Sequence, residues 1–296
     1  MRLVSFRDQA GSRIGVLDGS RTEIADLSIL APDLPREMTK LIRLGDQGLE
    51  QVRNALGTRE HRIPVHQVEM LAPIPIPVRN ILCVGKNYRE HAQELHPHGL
   101  SGADNHEVIP AAPIFFTKAT TTVVGPAGKI PASLDYTAST DYEGELAVII
   151  GKEGRGIHYD DAMQHVYGYT IINDVTSRKL QKHHQQWFLG KSIDGFCPMG
   201  PALLTADEVR DVGQLRIQTR VNGEVRQDAR VSSLIFDIPC LIETLARSMT
   251  LVSGDIIATG TPAGVGMGYK PPRYLAAGDV VSIEVDPIGI LENEVE

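Results

Sequence analysis

Paired cysteines are missing from this chain: Cys83, Cys197 and Cys240 are scattered and odd in number, with no C-x-x-C spacing. That pattern excludes a disulfide framework and gives no zinc or redox motif, so the three read as buried, reduced thiols. An excess of positive charge is missing too. With 29 Lys plus Arg against 37 Asp plus Glu, the formal net charge is -8 and the pI about 5.7, so the overall field repels a phosphate backbone and nucleic acid is excluded as a partner. No segment approaches the roughly 18 consecutive apolar residues of a membrane span, which leaves no membrane to expect. The amino terminus, MRLVSFRDQAGSRIGVLDG, lacks an apolar stretch of signal-peptide length, and the expected location is cytoplasmic. Internal repeats and low-complexity tails are also lacking.

What is present is an ordinary globular composition over 296 residues, 42% hydrophobic and 22% charged, enough for one large core or for a large and a small one. Residues 1–70 have the look of a separate small unit: two alternating segments, LVSF and RIGVLD, then a helical stretch from Pro35 to Leu56. The run Leu71-Ala-Pro-Ile-Pro-Ile-Pro-Val78 excludes a helix or a central strand and suits a stiff connector, so a boundary is placed there, with residues 71–296 as the second unit. Apolar or β-branched runs follow at 81–85, 113–118, 145–151, 167–174, 215–221, 255–260 and 280–285. Asn222-Gly223 between alternating residues signals a type I′ hairpin. Helices are expected from Tyr159 to His165 and from Pro239 to Met249. Many strands and few helices give a β-rich α+β fold, with sheets curled on each other and helices at the edges.

Four constellations could carry chemistry. In Asp141-Tyr-Glu143-Gly-Glu145-Leu-Ala-Val-Ile-Ile150, Glu143 and Glu145 share one face of a strand, about 6.6 Å apart at the backbone. Partly buried and side by side they repel unless a cation sits between them, and a hard divalent ion such as Mg²⁺ or Mn²⁺ takes oxygen donors. An isolated E-x-E also fits the solvent face of an ordinary strand. Asp174, ending the apolar run YGYTIIND, adds a third acid, although it also fits a cap for the segment VTSRKLQ. In Gly85-Lys-Asn87-Tyr88-Arg-Glu-His91-Ala-Gln-Glu94-Leu95, His91 and Glu94 stand three apart, neighbours on one helical turn. There the carboxylate orients the imidazole as a general base; a routine surface contact is the plainer alternative.

The third constellation, Gln186-Trp187-Phe-Leu-Gly190-Lys191-Ser192, fails as a phosphate loop because Gln185 stands where that motif needs glycine. Lys191 can instead neutralise a substrate carboxylate or an enolate, or simply lie at the surface. The fourth, Gly260-Thr261-Pro262-Ala-Gly264-Val-Gly266-Met-Gly268, offers backbone amides and the Thr261 hydroxyl to a carboxylate, or is only a flexible turn.

Taken in order, G-K-N-Y-x-x-H-A-x-E-L, D-Y-E-x-E-L-A, N-D-V-T-S-R, G-K-S-x-D and G-T-P-A-G-V-G resemble the fumarylacetoacetate hydrolase family from about Ile81 to the end. The resemblance implies a mixed β-sandwich roll preceded by a small amino-terminal α/β domain, and a homodimer. It implies Mg²⁺ or Mn²⁺ held by Glu143, Glu145 and Asp174, water activation by His91 with Glu94, and substrate contacts from Tyr88, Lys191 and Thr261. The substrate it implies is a 2-oxo acid. The segment 96–112, HPHGLSGADNHEVIPAA, is longer than the link of compact acylpyruvase-like members and stands where a lid can act. The expected activity is metal-dependent hydrolysis of the carbon–carbon bond of acylpyruvates (β-diketo acids). Oxaloacetate decarboxylation and lyase or isomerase chemistry on aromatic or sugar-acid breakdown products are the alternatives, and a non-catalytic organic-acid binding protein is disfavoured by the combined dyad and acid triad.

Overall fold

A computed structural model describes residues 1–57, 61–96 and 108–296. The chain opens with the antiparallel strands β1 (Arg2–Asp8), β2 (Gly11–Leu17) and β3 (Glu23–Asp26), followed by α1 (Leu27–Leu30), α2 (Met38–Arg43) and α3 (Gly45–Leu56). The single helix expected from Pro35 to Leu56 is two, because Gly45 turns the chain at φ +54. Leu41 and Ile42 of α2 and Leu49 and Val52 of α3 are buried on one side of the pair. The short β4 (Arg62–Pro64) and β5 (Glu69–Leu71) pair with β3 and β1, and the proline-rich connector follows.

Beyond the connector come β6 (Ile81–Gly85), α4 (Arg89–Leu95), β7 (Ile114–Lys118), β8 (Val123–Val124), β9 (Thr140–Asp141) and β10 (Gly144–Ile150). Then follow β11 (Val166–Asn173), β12 (Thr176–Ser177), α5 (Arg178–His183), α6 (Phe188–Lys191) and β13 (Cys197–Thr205). The last stretch holds β14 (Arg216–Val221), β15 (Glu224–Arg230), α7 (Ile238–Ala246), β16 (Ile256–Ala258), β17 (Val280–Val285) and β18 (Gly289–Glu294). One large mixed sheet runs β4-β3-β2-β1-β13-β11-β10-β16-β6-β7, with β5 and β8 attached at its side, and a second antiparallel sheet runs β15-β14-β17-β18. The expected type I′ hairpin joins β14 to β15, with φ +51 at Asn222 and +81 at Gly223. Residues Tyr159–His165 form a 3₁₀ helix, and α7 is capped by Asp237, whose carboxylate accepts from the Cys240 amide at 3.0 Å. Among the described residues no helix is long and apolar enough to cross a membrane.

β10 explains why the large sheet sits in the middle. Its run Leu146-Ala-Val-Ile-Ile150 is apolar on both faces, and both faces are covered. Leu146, Val148 and Ile150 pack with Ile217, Val221, Ile283 and Leu291 of the second sheet. Ala147 and Ile149 pack with Leu27, Met38, Leu41 and Val52 of the first helices. The expected division near residue 70 falls between β5 and β6 along the chain, while the sheet itself runs across it: β1 pairs with β13, Leu3 opposite Leu203. β13, Cys-Pro-Met-Gly-Pro-Ala-Leu-Leu-Thr, gave no strand signal because two prolines argue against a central strand. The sheet admits it through an irregularity: between Tyr169 and Ile171 of β11, β13 advances from Leu204 to Gly200, so Pro201 falls in the bulge.

Leu3 is fully buried in the cluster shared by both halves of the chain. Leu3→Ala is therefore expected to cost about 2–5 kcal/mol and to lower a single melting transition that carries the amino-terminal helices and the large sheet together. Scanning calorimetry that resolved two transitions, with the later one unmoved, would show that the halves melt apart.

Candidate active site

The antiparallel pairing of β10 with β11 sets Gly144 opposite Asn173, so the start of one strand and the end of the other meet at the same place. Glu143 precedes β10, Glu145 is its second residue and Asp174 follows β11. Two backbone links lock this corner. The Asp174 amide donates to the Glu143 carbonyl at 2.8 Å, and the Glu143 amide donates to Asn173 Oδ1 at 3.0 Å. All three acids are buried, and one carboxylate oxygen from each lies within 4.8 Å of the other two. The solvent-face reading of the E-x-E pair and the helix-cap reading of Asp174 both fail on this geometry.

Buried cations answer most of this charge. Lys191, 2% exposed, places Nζ 2.7 Å from Glu143 Oε2 and 2.7 Å from Asp174 Oδ2. Arg178 reaches Glu143 Oε1 at 2.7 Å and Asp141 Oδ2 at 2.8 Å, and Lys118 lies 2.7 Å from Asp174 Oδ1. Four acids (Asp141, Glu143, Glu145, Asp174) thus face three cations (Lys118, Arg178, Lys191). Glu145 is left with a neutral partner, the Gly260 amide at 2.8 Å, and has no ion pair among the described residues. Burial opposes ionisation of Glu143, yet Lys191 and Arg178 together hold its carboxyl at about 2. Burial, and then Asp174 and Glu143, push Glu145 well above the usual carboxylate range. A divalent ion with oxygen preference fits this donor set: it supplies the positive charge that Glu145 alone lacks.

The second group rests on α4. His91 Nδ1 lies 3.1 Å from Glu94 Oε2, the i,i+3 contact expected from the sequence, and His91 is buried rather than at the surface. A carboxylate at Nδ1 fixes the proton on that nitrogen and leaves Nε2 as the basic lone pair. Glu94 is itself held, since its Oε1 accepts from the Gly264 amide at 3.0 Å.

The glycine-dense loop after β16 binds carboxylates, but they are the chain's own. Gly260 donates to Glu145, Gly264 to Glu94, and Gly266 and Met267 to the two oxygens of Asp141 at 2.7 and 3.0 Å. Only glycine serves at 264, where φ is +105 and a Cβ would stand 1.8 Å from the Arg226 carbonyl oxygen. The Thr261 hydroxyl donates to the Gly144 carbonyl at 3.0 Å and accepts from Gln227 Nε2 at 2.7 Å.

Glu143, Glu145, His91, Lys191, Thr261 and Lys86 line one cavity of about 10 Å³, room for roughly one water. Trp187 walls it, packed so close to Gly85 that a Cβ there would meet the indole at 2.3 Å, with its ring 5.2 Å edge-on from Phe116. Asp174, Glu94 and Tyr88 stand outside this lining. Tyr88 is buried at the N-cap of α4, and burial, then Glu145, raises its phenol. A larger cavity of about 930 Å³, between α2–α3 and the far end of β10, contains none of these acids. The segment 96–112 with its expected lid role lies for the most part outside the described residues. Sequence reading gave no role to Lys118 or Arg178. The signal for Lys118 was present, a charge ending the apolar strand IFFTK just as Asp174 ends its own.

A family model of the fumarylacetoacetate (FAA) hydrolase C-terminal domain matches residues 80–296. The chain is 52% identical to the oxaloacetate tautomerase YisK of Bacillus subtilis over 229 residues, 77% of this chain and 73% of that protein. Among solved structures it resembles a fumarylacetoacetate hydrolase of Exiguobacterium antarcticum, with 41% identity, TM-score 0.85 and coverage of 100% and 99%. It also resembles the maleylpyruvate hydrolase of Sphingobium sp. SYK-6 in complex with manganese(II) and pyruvate, with 34% identity, TM-score 0.79 and coverage of 100% and 98%.

The charge balance yields a test in two parts. Glu145→Gln keeps an acceptor for the Gly260 amide and removes the carboxylate that has no cation, so the metal-free variant is expected to melt at or above the wild-type temperature. Its Mn²⁺ affinity, read by calorimetry, should fall by more than about tenfold, because one of three charged donors is gone. Lower metal-free stability together with unchanged Mn²⁺ binding would place the ion elsewhere.

Proposed function

The chain belongs to the fumarylacetoacetate hydrolase family, and on that footing we propose that it is a divalent-metal-dependent enzyme of small 2-oxo acids, interconverting the keto and enol forms of oxaloacetate. The observation that carries the reading is the convergence of Glu143, Glu145, Lys191 and His91 on one cavity, with Asp174 completing the acid triad and Glu94 holding His91 from just outside the lining. The tautomerase name of the Bacillus subtilis relative and the pyruvate in the Sphingobium structure support this substrate class.

In this reading Glu143, Glu145 and Asp174 hold Mg²⁺ or Mn²⁺, which when bound supplies Lewis-acid stabilisation of negative charge on oxygen. His91 takes the proton from the carbon next to the keto group through Nε2. Glu94 accepts the Nδ1–H, keeps the ring in the correct tautomer and supports the imidazolium that forms. Lys191, paired with two acids and therefore firmly charged, donates toward the developing enolate oxygen. Proton return from His91 to carbon, or to the oxygen, completes the exchange in either direction. Trp187 and Phe116 restrict water at the site, which strengthens each of these charge interactions.

The same pair favours a second reading, hydrolysis of acylpyruvates, because His91 Nε2 can as well deprotonate a water. Decarboxylation of oxaloacetate needs no such base and leans on Lys191 and the metal alone. The homodimer stays in this reading on family grounds; light scattering at micromolar concentration should give about twice the 32.3 kDa chain mass.

Purified protein with saturating Mn²⁺ should accelerate the decay of the oxaloacetate enol absorbance, and chelation should abolish this. His91→Ala is expected to lower kcat by about 10² to 10⁴ while leaving Mn²⁺ affinity near wild type. Pyruvate release and acylpyruvate cleavage, measured on the same samples, separate the three reactions. Equal tautomerisation rates in wild type and His91→Ala would remove the dyad from the mechanism.

A further inference from the structure

Three of the cations around the acid cluster are ion-paired to it, and a fourth is not. Lys118, Arg178 and Lys191 each form at least one buried ion pair with Asp141, Glu143 or Asp174. Lys86 lines the same cavity and is only 4% exposed, yet among the described residues it makes no hydrogen bond and no ion pair. Most of that burial falls on its stem: the ammonium is not among the fully enclosed atoms that lack a partner, so it stays accessible to an incoming anion. Burial lowers its pKa.

The backbone holds Lys86 in place at a conformational cost. Its φ is +55, a left-handed conformation uncommon outside glycine and asparagine, and of the non-glycine residues with positive φ among those described it alone lines the cavity. The next residue supplies the clamp. Asn87 donates from Nδ2 to the carbonyls of Thr259 at 2.8 Å and Phe236 at 2.9 Å, accepts the Phe236 amide at 2.8 Å, and offers its carbonyl to the Ile235 amide at 2.8 Å. A turn from β6 into α4 thus delivers a long cation into the site against its own backbone preference, and strain of this kind persists where the surroundings over-determine it.

We propose that Lys86 is the residue that selects dicarboxylic substrates: it receives the second carboxylate of a four-carbon 2-oxo diacid, the one remote from the keto group. The assignment rests on the 2-oxo acid reading given above. Such a substrate brings one negative charge for the acid triad's metal to hold and another that needs its own partner. Lys191 has two of its three donors on Glu143 and Asp174 and its third assigned to the enolate oxygen in that reading, and Arg178 is ion-paired to both Glu143 and Asp141, which leaves Lys86 as the cation of the lining with no ion pair among the described residues. Substrates ending in a methyl group at that position gain nothing from it.

Two near-isosteric ligands test the assignment: oxaloacetate, and 2-oxobutyrate, which carries a methyl group where oxaloacetate has its distal carboxylate. Dissociation constants for both are measured by calorimetry on Mn²⁺-loaded wild type, Lys86→Met and Lys86→Gly, with KM and kcat for oxaloacetate alongside. Lys86→Gly relaxes the positive φ, so loss of the cation is read without added backbone strain. Both variants are expected to bind oxaloacetate on the order of 10- to 100-fold more weakly, the weight of a charge-assisted hydrogen bond, with 2-oxobutyrate binding changed by less than about threefold. Lys86→Arg should recover most of the oxaloacetate affinity. Equal weakening of the two ligands, or no weakening of either, overturns the role of Lys86 and leaves the 2-oxo acid reading intact. A wild-type holoenzyme that binds neither ligand overturns that reading, and the role of Lys86 falls with it.

Discussion

The constraint on which this site depends is the burial of four carboxylates at the junction of β10 and β11. An ion taken out of water in a protein costs several kcal/mol even after relaxation, and removing the partner of a buried pair typically costs 3–5 kcal/mol. The fold meets that demand with three buried cations from three different elements: Lys118 from the end of β7, Arg178 from the first turn of α5 and Lys191 from the end of α6. It adds four backbone amide donors, one from Asp174 and three from the loop after β16, while Asn173 Oδ1 accepts from the Glu143 amide, and these bonds fix the angles at which the acids are presented. Arg178 is wholly buried and touches both Asp141 and Glu143, so it ties the β9–β12 ribbon, where Asp141 lies, to the start of β10. What the network leaves without a cation is one carboxyl group, Glu145.

Much of this was legible because the informative spacings are local. Two residues along a strand put Glu143 and Glu145 on one face, and three along a helix put His91 beside Glu94; neither inference needs tertiary structure. Asp174 was readable as an acid emerging from an apolar run, and Asn222-Gly223 fixed a hairpin. The answering charges were not readable in the same way. Lys118 meets Asp174 across 56 positions of sequence, and Arg178 meets Asp141 across 37. No periodicity links strands that come together only when the sheet has formed. Pro198 and Pro201 hid β13, since the bulge that accommodates Pro201 is a property of the register with β11. The glycine loop was recognised as a carboxylate binder, but which carboxylates fill it depends on Asp141, Glu145 and Glu94 arriving from elsewhere.

The division of labour within the site bears on why relatives of this fold carry names from different reactions. Under the proposed function the triad, Lys191 and the residues that neutralise them all address one problem, negative charge on the oxygens of a 2-oxo acid. That problem is common to tautomerisation, decarboxylation and carbon–carbon cleavage. What separates these reactions is how a proton or a water reaches the adjacent carbon, and what the far end of the substrate meets. Under the proposed function those tasks would fall to His91 with Glu94, to the Trp187–Phe116 wall and to Lys86, none of which belongs to the charge-balanced cluster.

These two parts are nevertheless not independent, because a single loop grips both. Residues 260–267 donate to Glu145 and Asp141 at the acid end and, through Gly264, to Glu94 at the base end. Gly268 closes against the same carboxylate, with space for no Cβ: one built there would lie 2.0 Å from Glu94 Oε1. The orientation of the His91 ring is therefore set relative to the acids by one short, sterically tight stretch of backbone rather than by two separately placed elements. Proton transfer to a carbon depends on sub-ångström placement of the base against a substrate that the acid end has positioned. A loop that commits the amides of Gly260, Gly264, Gly266 and Met267 to these acids, and whose glycines leave no spare volume, would supply that placement as a consequence of packing, before any substrate arrives.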